Sequence, residues 1–255
     1  MKILFIGDII GQSSAQKLAE FLPAFKHKNN IDVTIVNGEN SANGNGITPF
    51  SAKILLPVAD VITTGNHCFK RIEMNSMFDE CERIIRPYNL GDEAHGRGFC
   101  ILDFGRERLA VVNLMGCAFM PPCDNPFKAA RSLLSEIDTP NIIVDFHAEA
   151  TAEKKAMGYF LCKKVSALIG THTHVQTADE RILSEHTAYI TDVGMTGGYD
   201  SIIGSEKTGV INRFSSYLPS RHLEVDDNIE MNAVVITINP DNGTALKIER
   251  YNERI

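Results

Sequence analysis

Side chains able to hold a metal ion recur in this chain at one kind of place, the end of a short apolar run. Asp8 follows Lys2 to Gly7, Glu39 and Asn40 follow Val33 to Gly38, and Asn66 and His67 follow Val61 to Gly65. Farther on, His147 follows Asn141 to Phe146, while His172 and His174 follow Val165 to Gly170. Singly, each has a plainer reading. An Asp after an apolar run is more often a helix cap or turn residue. A lone His there is more often hydrogen-bonded or solvated, and Gly65-Asn66-His67 fits an ordinary turn. Together they bring two carboxylates, two amides and four histidines, more than structural needs supply. Oxygen and imidazole donors without thiolate make a hard-to-borderline set that suits iron, manganese, magnesium or zinc and differs from cysteine-rich structural zinc sites. Cys68, beside His67, is expected to point away as a packed thiol.

The elements that must position these residues read as strands closed by glycine and separated by helices. The runs before Asp8, Glu39 and Asn66 are short, β-branched and mainly apolar, the pattern of strands buried on both faces. Between them a helix is predicted over Ser13 to Lys28, with Leu18, Phe21, Leu22 and Phe25 as its apolar positions, and another over Thr48 to Leu56, where Thr48 caps and Pro49 opens the first turn. Strand, helix, strand, helix, strand implies a parallel sheet. Ligands of open α/β sheets bind outside the carboxyl ends of the strands, so the three clusters converge on one edge. The later strands add His147, His172 and His174 to the same edge, and in extended chain an i, i+2 spacing puts both rings of the pair on one side. A helix over Ala152 to Lys164 is expected to leave Lys154, Lys155, Lys163 and Lys164 in solvent and to turn Met157, Phe160 and Leu161 inward. Ala188 to Val193 supplies a further strand. Gly98 to Asp103 with Arg108 to Leu114, and Ala233 to Ile238 with Ala245 to Tyr251, read as antiparallel pairs. Two sheets, or one mixed sheet, in a single domain over 1–255 is the expected organisation. Residues 70–97 form a small irregular lid segment, and Gly194 to Phe214 a long Gly-rich connection.

Composition narrows the partners. With 255 residues, 44% hydrophobic and 22% charged, the chain is an ordinary globular sequence. A formal charge of −7 argues against a broad surface for nucleic acid or anionic membranes. No apolar run approaches a membrane span, and the opening Met-Lys-Ile-Leu-Phe-Ile-Gly-Asp is too short for a signal peptide's apolar region, which makes the cytoplasm the default location. The six cysteines include no CxxC and read as reduced thiols.

Gly7-Asp8, Gly65-Asn66-His67, His147 and Gly170-Thr171-His172-Thr173-His174 resemble the calcineurin-like dinuclear metallophosphoesterases. The nearer likeness is to their YmdB-like branch, carried by IGDIIG at 6–11, NGENSANGNGIT at 37–48, TGNH at 64–67, DNPF at 124–127, DFHAEATAEKKAMG at 145–158, GTHTHVQTADERIL at 170–183 and ITDVGMTGGYDSIIG at 190–204. The branch differs from the wider superfamily in having Asp8-Ile9-Ile10 where Asp-x-His is usual, and Gly38-Glu39-Asn40 where Gly-Asp is usual, so that Asn40 stands for a histidine ligand. Gly197-Gly198-Tyr199-Asp200 replaces an expected Gly-Pro-Tyr-Asp, which loosens that loop and removes no ligand.

The resemblance implies a four-layer αββα sandwich of two packed mixed sheets flanked by helices, a homo-oligomer, and two ions per chain, iron or manganese, with magnesium or zinc compatible. It assigns Asp8, Glu39, Asn40 and His174 to one ion, and Glu39, Asn66, His147 and His172 to the other, with Glu39 bridging. His67 is left as the catalytic acid. The implied activity is hydrolysis of small phosphodiesters such as 2′,3′-cyclic nucleotides, through a hydroxide bridging ions about 3.5 to 4 Å apart while His67 protonates the leaving oxygen. Asp145 and Asp192 are candidates for orienting the imidazoles, with cap or turn roles equally open. Two other readings share the same residues: a phosphomonoesterase or nucleotidase, and a regulatory metal- or nucleotide-binding protein with incidental turnover. His67 beside a full ligand set argues against the last.

Overall fold

The computed structural model describes residues 1–219 and 223–255. Two sheets lie face to face. The first, seven-stranded, has the order β2 (Asp8–Ile9), β11 (Met195–Gly198), β12 (Ile229–Ile238), β1 (Lys2–Ile6), β3 (Val33–Asn37), β4 (Val61–Thr63), with β13 (Ala245–Arg254) on the other side of β12. β1, β3 and β4 run parallel, as the alternation with helices requires, whereas β12 runs antiparallel to β1, β11 and β13. The second, six-stranded, has the order β5 (Phe99–Asp103), β6 (Arg108–Met115), β7 (Ile142–His147), β8 (Ala167–Thr171), β10 (Thr187–Ile190), β9 (Arg181–Leu183). Its four inner strands are parallel and its two edges antiparallel.

Strand alternation divides the core. Ile3, Phe5, Val33 and Ile35 face inward and meet Val111, Ile143, Ile169 and Ile190 of the other sheet. Leu4, Ile6 and Val36 face outward, under Leu18, Leu22 and Phe25 of α1 (Gly11–Asn29) and Ala52 and Leu55 of α2 (Pro49–Leu55). On the far side, Val112, Leu114, Val144 and Phe146 are covered by Ala130 and Leu133 of α4 (Pro126–Leu134) and Met157 and Leu161 of α5 (Thr151–Leu161). Burial on both faces is why the strands read as unbroken apolar runs, and each buried aliphatic or Phe side chain contributes about 1.5–3 kcal/mol. The result is the four-layer αββα arrangement. Thr48 and Ser51 form a capping box at the start of α2. Residues 70–97 contain α3 (Asn75–Glu80) and two short 3₁₀ turns, and they lay Met74, Phe78 and Ile84 into the outer core.

Three expectations are corrected. Gly194 to Phe214, expected as one long Gly-rich connection, contains β11 and most of α6 (Lys207–Ser216). The later histidines do not extend the first sheet's edge; they come from the second sheet, and the two edges meet. On α5, Lys154 is fully buried and Phe160 is only half-buried. Position decides over residue type here, because Lys154, Met157, Gly158 and Leu161 follow the i, i+3, i+4, i+7 rule and share the buried face.

Candidate metal centre

Every residue singled out as a ligand or acid lies where the carboxyl ends of both sheets converge. β2 carries Asp8; the turns after β3 and β4 carry Glu39, Asn40, Asn66 and His67; β7 ends in His147; and the loop after β8 carries His172 and His174. The last two do not sit in extended chain. Their φ angles are +100° and +65°, a left-handed conformation rare for side-chain-bearing residues, and that backbone rather than strand alternation aims both rings at the centre. Gly65 allows the close approach, because a Cβ there would collide with Glu39 and His147.

The donors fall into two groups that share Glu39. In one, His147 Nε2 lies 2.9 Å from Asn66 Oδ1, 3.0 Å from Glu39 Oε1 and 3.1 Å from His172 Nδ1. In the other, His174 Nε2 lies 3.7 Å from Asp8 Oδ1 and 3.4 Å from Asn40 Nδ2, which is 3.3 Å from Glu39 Oε1. Asp8, Glu39 and His147 are fully buried, and among the described residues Asp8 Oδ1 has no hydrogen-bond partner, only the His174 and His147 nitrogens at 3.7 and 4.0 Å. A carboxylate oxygen orphaned in the interior, ringed by imidazoles and a second carboxylate, matches a cation in chemistry and burial. Asn40 is placed with Oδ1 against His67 Nδ1 at 2.8 Å and its nitrogen towards Glu39 and His174. Turning this amide over would bring the ligating oxygen to the donors and leave nitrogen donating to His67.

The carboxylates and imidazoles of the centre shift one another's affinity for protons. Burial alone would raise the Glu39 carboxyl, but the charge and hydrogen bond of His147 outweigh it and hold Glu39 at about 2. Burial would likewise depress His147, yet Glu39 and Asp8 push it up to about 9. His147 lies 3.0 Å from Glu39 and 4.0 Å from Asp8, a position in which the two carboxylates favour positive charge. Partial burial and the facing His147 drive His172 down to about 3, and burial also lowers His67 and raises Asp8.

A further shell fixes the imidazoles. Asp145 Oδ1 accepts from Thr171 Oγ1 at 2.6 Å, and Thr171 Oγ1 is 2.9 Å from His147 Nδ1. Its other oxygen accepts from Asn37 and Thr63, a network that joins the two sheets. Asp192 accepts from the N–H and hydroxyl of Thr173, between the two loop histidines, and from Gly194 N–H. The fully buried Lys154 Nζ meets it at 2.7 Å. Residue-by-residue reading missed Lys154 and also Glu149, whose carboxylate is 3.3 Å from His172 Nε2; its only signal is a place two residues after His147. A cavity of about 770 Å³ opens onto the centre, with Glu39, His67, His172 and His174 in its wall.

A family model described as YmdB-like protein matches residues 4–251. The chain is 44% identical over 253 residues to the 2′,3′-cyclic-nucleotide 2′-phosphodiesterase of Bacillus subtilis, covering 98% of this chain and 96% of that protein. Its structure is similar to that of a hypothetical protein from Thermus thermophilus, with a TM-score of 0.93 and 36% identity over 100% of this chain and 99% of the other. It is equally similar to a novel phosphatase of Mycoplasma pneumoniae, with a TM-score of 0.93, 31% identity, and coverage of 100% and 93%.

Proposed function

This chain belongs to the YmdB-like family, and from that membership we propose that it is a metal-dependent phosphodiesterase acting on small phosphodiesters, 2′,3′-cyclic nucleotides first among them. The observation that carries the reading is the buried Asp8 Oδ1, without a hydrogen bond among the described residues, within a ring of oxygen and imidazole donors that divides about Glu39. Asp8, Glu39, Asn40 and His174 would hold one ion and Glu39, Asn66, His147 and His172 the other, iron or manganese by family likeness. Ions held there would supply Lewis-acid charge to the phosphoryl oxygens and a water acidic enough to attack near neutral pH.

The chain's own residues do the rest. His147 keeps Nε2 towards the donors because Thr171, itself bonded to Asp145, engages Nδ1. Asp192 holds the loop of His172 and His174 through Thr173. His67, anchored through Nδ1 to Asn40 and standing in the cavity wall, gives a proton from Nε2 to the departing ribose oxygen. Residues 70–97 bring Lys70 and Arg71 to the rim of the cavity as its lid segment. A single domain, homo-oligomeric and cytoplasmic, completes the proposal; among the described residues no helix is long and apolar enough to cross a membrane.

Side-by-side assays on 2′,3′-cyclic AMP, 3′,5′-cyclic AMP and a phosphomonoester, with metal analysis of the same preparation, test it. The expected result is two ions per chain, turnover greatest on the 2′,3′-cyclic ester, and loss of turnover on chelation. Greater turnover of the monoester would establish a phosphatase instead, and binding without turnover a regulatory protein.

A further inference from the structure

Among the described residues nothing buries a side chain of α6, an unusual state for a helix bearing several apolar residues. Val210 and Phe214, four positions apart and so on one helical face, line the cavity that opens at His67, His172 and His174, and Arg213 lines it beside them. Phe214 is 77% exposed. A helix ordinarily turns its apolar stripe to its own core; this one turns Val210 and Phe214 to the space in front of the metal donors.

Ile203 continues the same wall. It is β-branched yet held at φ +48°, a backbone region that such residues rarely enter. That conformation directs its carbonyl to His174 Nδ1 at 3.1 Å and leaves its side chain half-exposed on the cavity. The apolar wall and the loop of donors are therefore fixed relative to one another. Asn43, Asn45, Lys70 and Arg71 bring polar groups to the cavity, beside the apolar Ile10, Ile202 and Leu223, and Arg71 ties the 42–45 loop through hydrogen bonds to the carbonyls of Ala42 and Asn45. A volume of about 770 Å³ falls within the range of small-molecule sites.

We propose that the wall built from Ile203, Val210 and Phe214 is the subsite for the base of a cyclic nucleotide, with Phe214 as its stacking platform and Arg213 offering donors to the base edge. The assignment rests on the functional reading above. It gives the ester two unlike ends in one cavity, a phosphate among the metal donors and a flat aromatic ring against α6. Aromatic stacking tolerates every base, so the subsite selects nucleotides as a class rather than one base.

The test compares 2′,3′-cyclic AMP with glycerol 1,2-cyclic phosphate, a five-membered cyclic diester without a base, on metal-loaded wild type, Phe214→Ala and Phe214→Trp. Phe214→Ala should reduce the preference for the nucleotide over the glycerol ester by roughly 5- to 100-fold, the span of one stacking contact. The loss should lie in KM for the nucleotide, and Phe214→Trp should restore it. An unchanged preference in Phe214→Ala would overturn the subsite. So would a change of oligomeric mass with no change in KM, which would make the helix face a contact between copies of this chain. Wild type that hydrolyses neither ester would overturn the functional reading itself, and the subsite with it.

Discussion

His67 has one ring nitrogen committed and one to use. Nδ1 is 2.8 Å from the Asn40 amide, so Nε2 is the ring nitrogen left to meet a substrate. If His67 serves as a general acid, its loss should matter most where the leaving oxygen most needs a proton. In His67→Ala, hydrolysis of 2′,3′-cyclic AMP should fall about 10²- to 10⁴-fold, while an activated nitrophenyl diester loses far less and metal content by elemental analysis is unchanged. Equal losses on both esters would reassign His67 to positioning. Asp8 makes a different prediction. Its orphaned oxygen is a cost whenever no cation is present, since a buried unsatisfied polar group costs about 1–3 kcal/mol. Asp8→Asn should therefore melt no lower than wild type in chelator, yet fail to gain the stabilisation that added metal confers on wild type through binding to the native state. Thermal melts with and without metal measure both halves, and an Asp8→Asn protein stabilised by metal as wild type is would remove Asp8 from the ligands.

Among the elements, α5 and the loop after β8 show what was legible and what was not. The runs that became β1, β3, β4, β7 and β8 are plain in the sequence because burial on both faces leaves them mostly apolar, and α2 is plain because Thr48-Pro49 is a cap followed by a first-turn proline. Lys154 was not, because its charge argues for solvent while its spacing argues for the core, and only the fold reveals the Asp192 carboxylate that settles the conflict. Nor could the spacing of His172 and His174 disclose the positive φ angles that aim them, which depend on contacts from distant residues: His172 N–H donates to Asp8 and His174 Nδ1 meets Ile203. Lys154→Met leaves Asp192 charged and without its ammonium partner in the interior. It should cost about 3–5 kcal/mol, and the Lys154→Met/Asp192→Asn double variant should recover much of the loss. Denaturant unfolding of the three proteins decides it; a Lys154→Met variant as stable as wild type would show the pair to be dispensable.

For the molecule as a whole, charge and topology set the terms. With 25 basic against 32 acidic residues, the protein should show no binding to long duplex DNA at physiological salt by fluorescence anisotropy, and tight binding that weakens steeply with added salt would revive a nuclease reading. The alternation of strands and helices made the parallel cores of both sheets legible, but β2 and β11 are two and four residues long, too short to carry a pattern of their own, and they are defined by pairing with one another and with β12. That the centre straddles both sheets has a consequence for the protein's birth on the ribosome. Asp8 meets His172 across 164 positions, and β1 has no partner on its β12 side until Ile229–Ile238 has emerged. At about 5–20 residues per second, an interval on the order of 10 s or more separates synthesis of the first ligand from that of the last. If these residues hold metal as proposed, a nascent chain that has not reached residue 174 lacks His172 and His174, and metal capture and hydrolysis should begin together, once the loop after β8 and the closing strand β12 have been made.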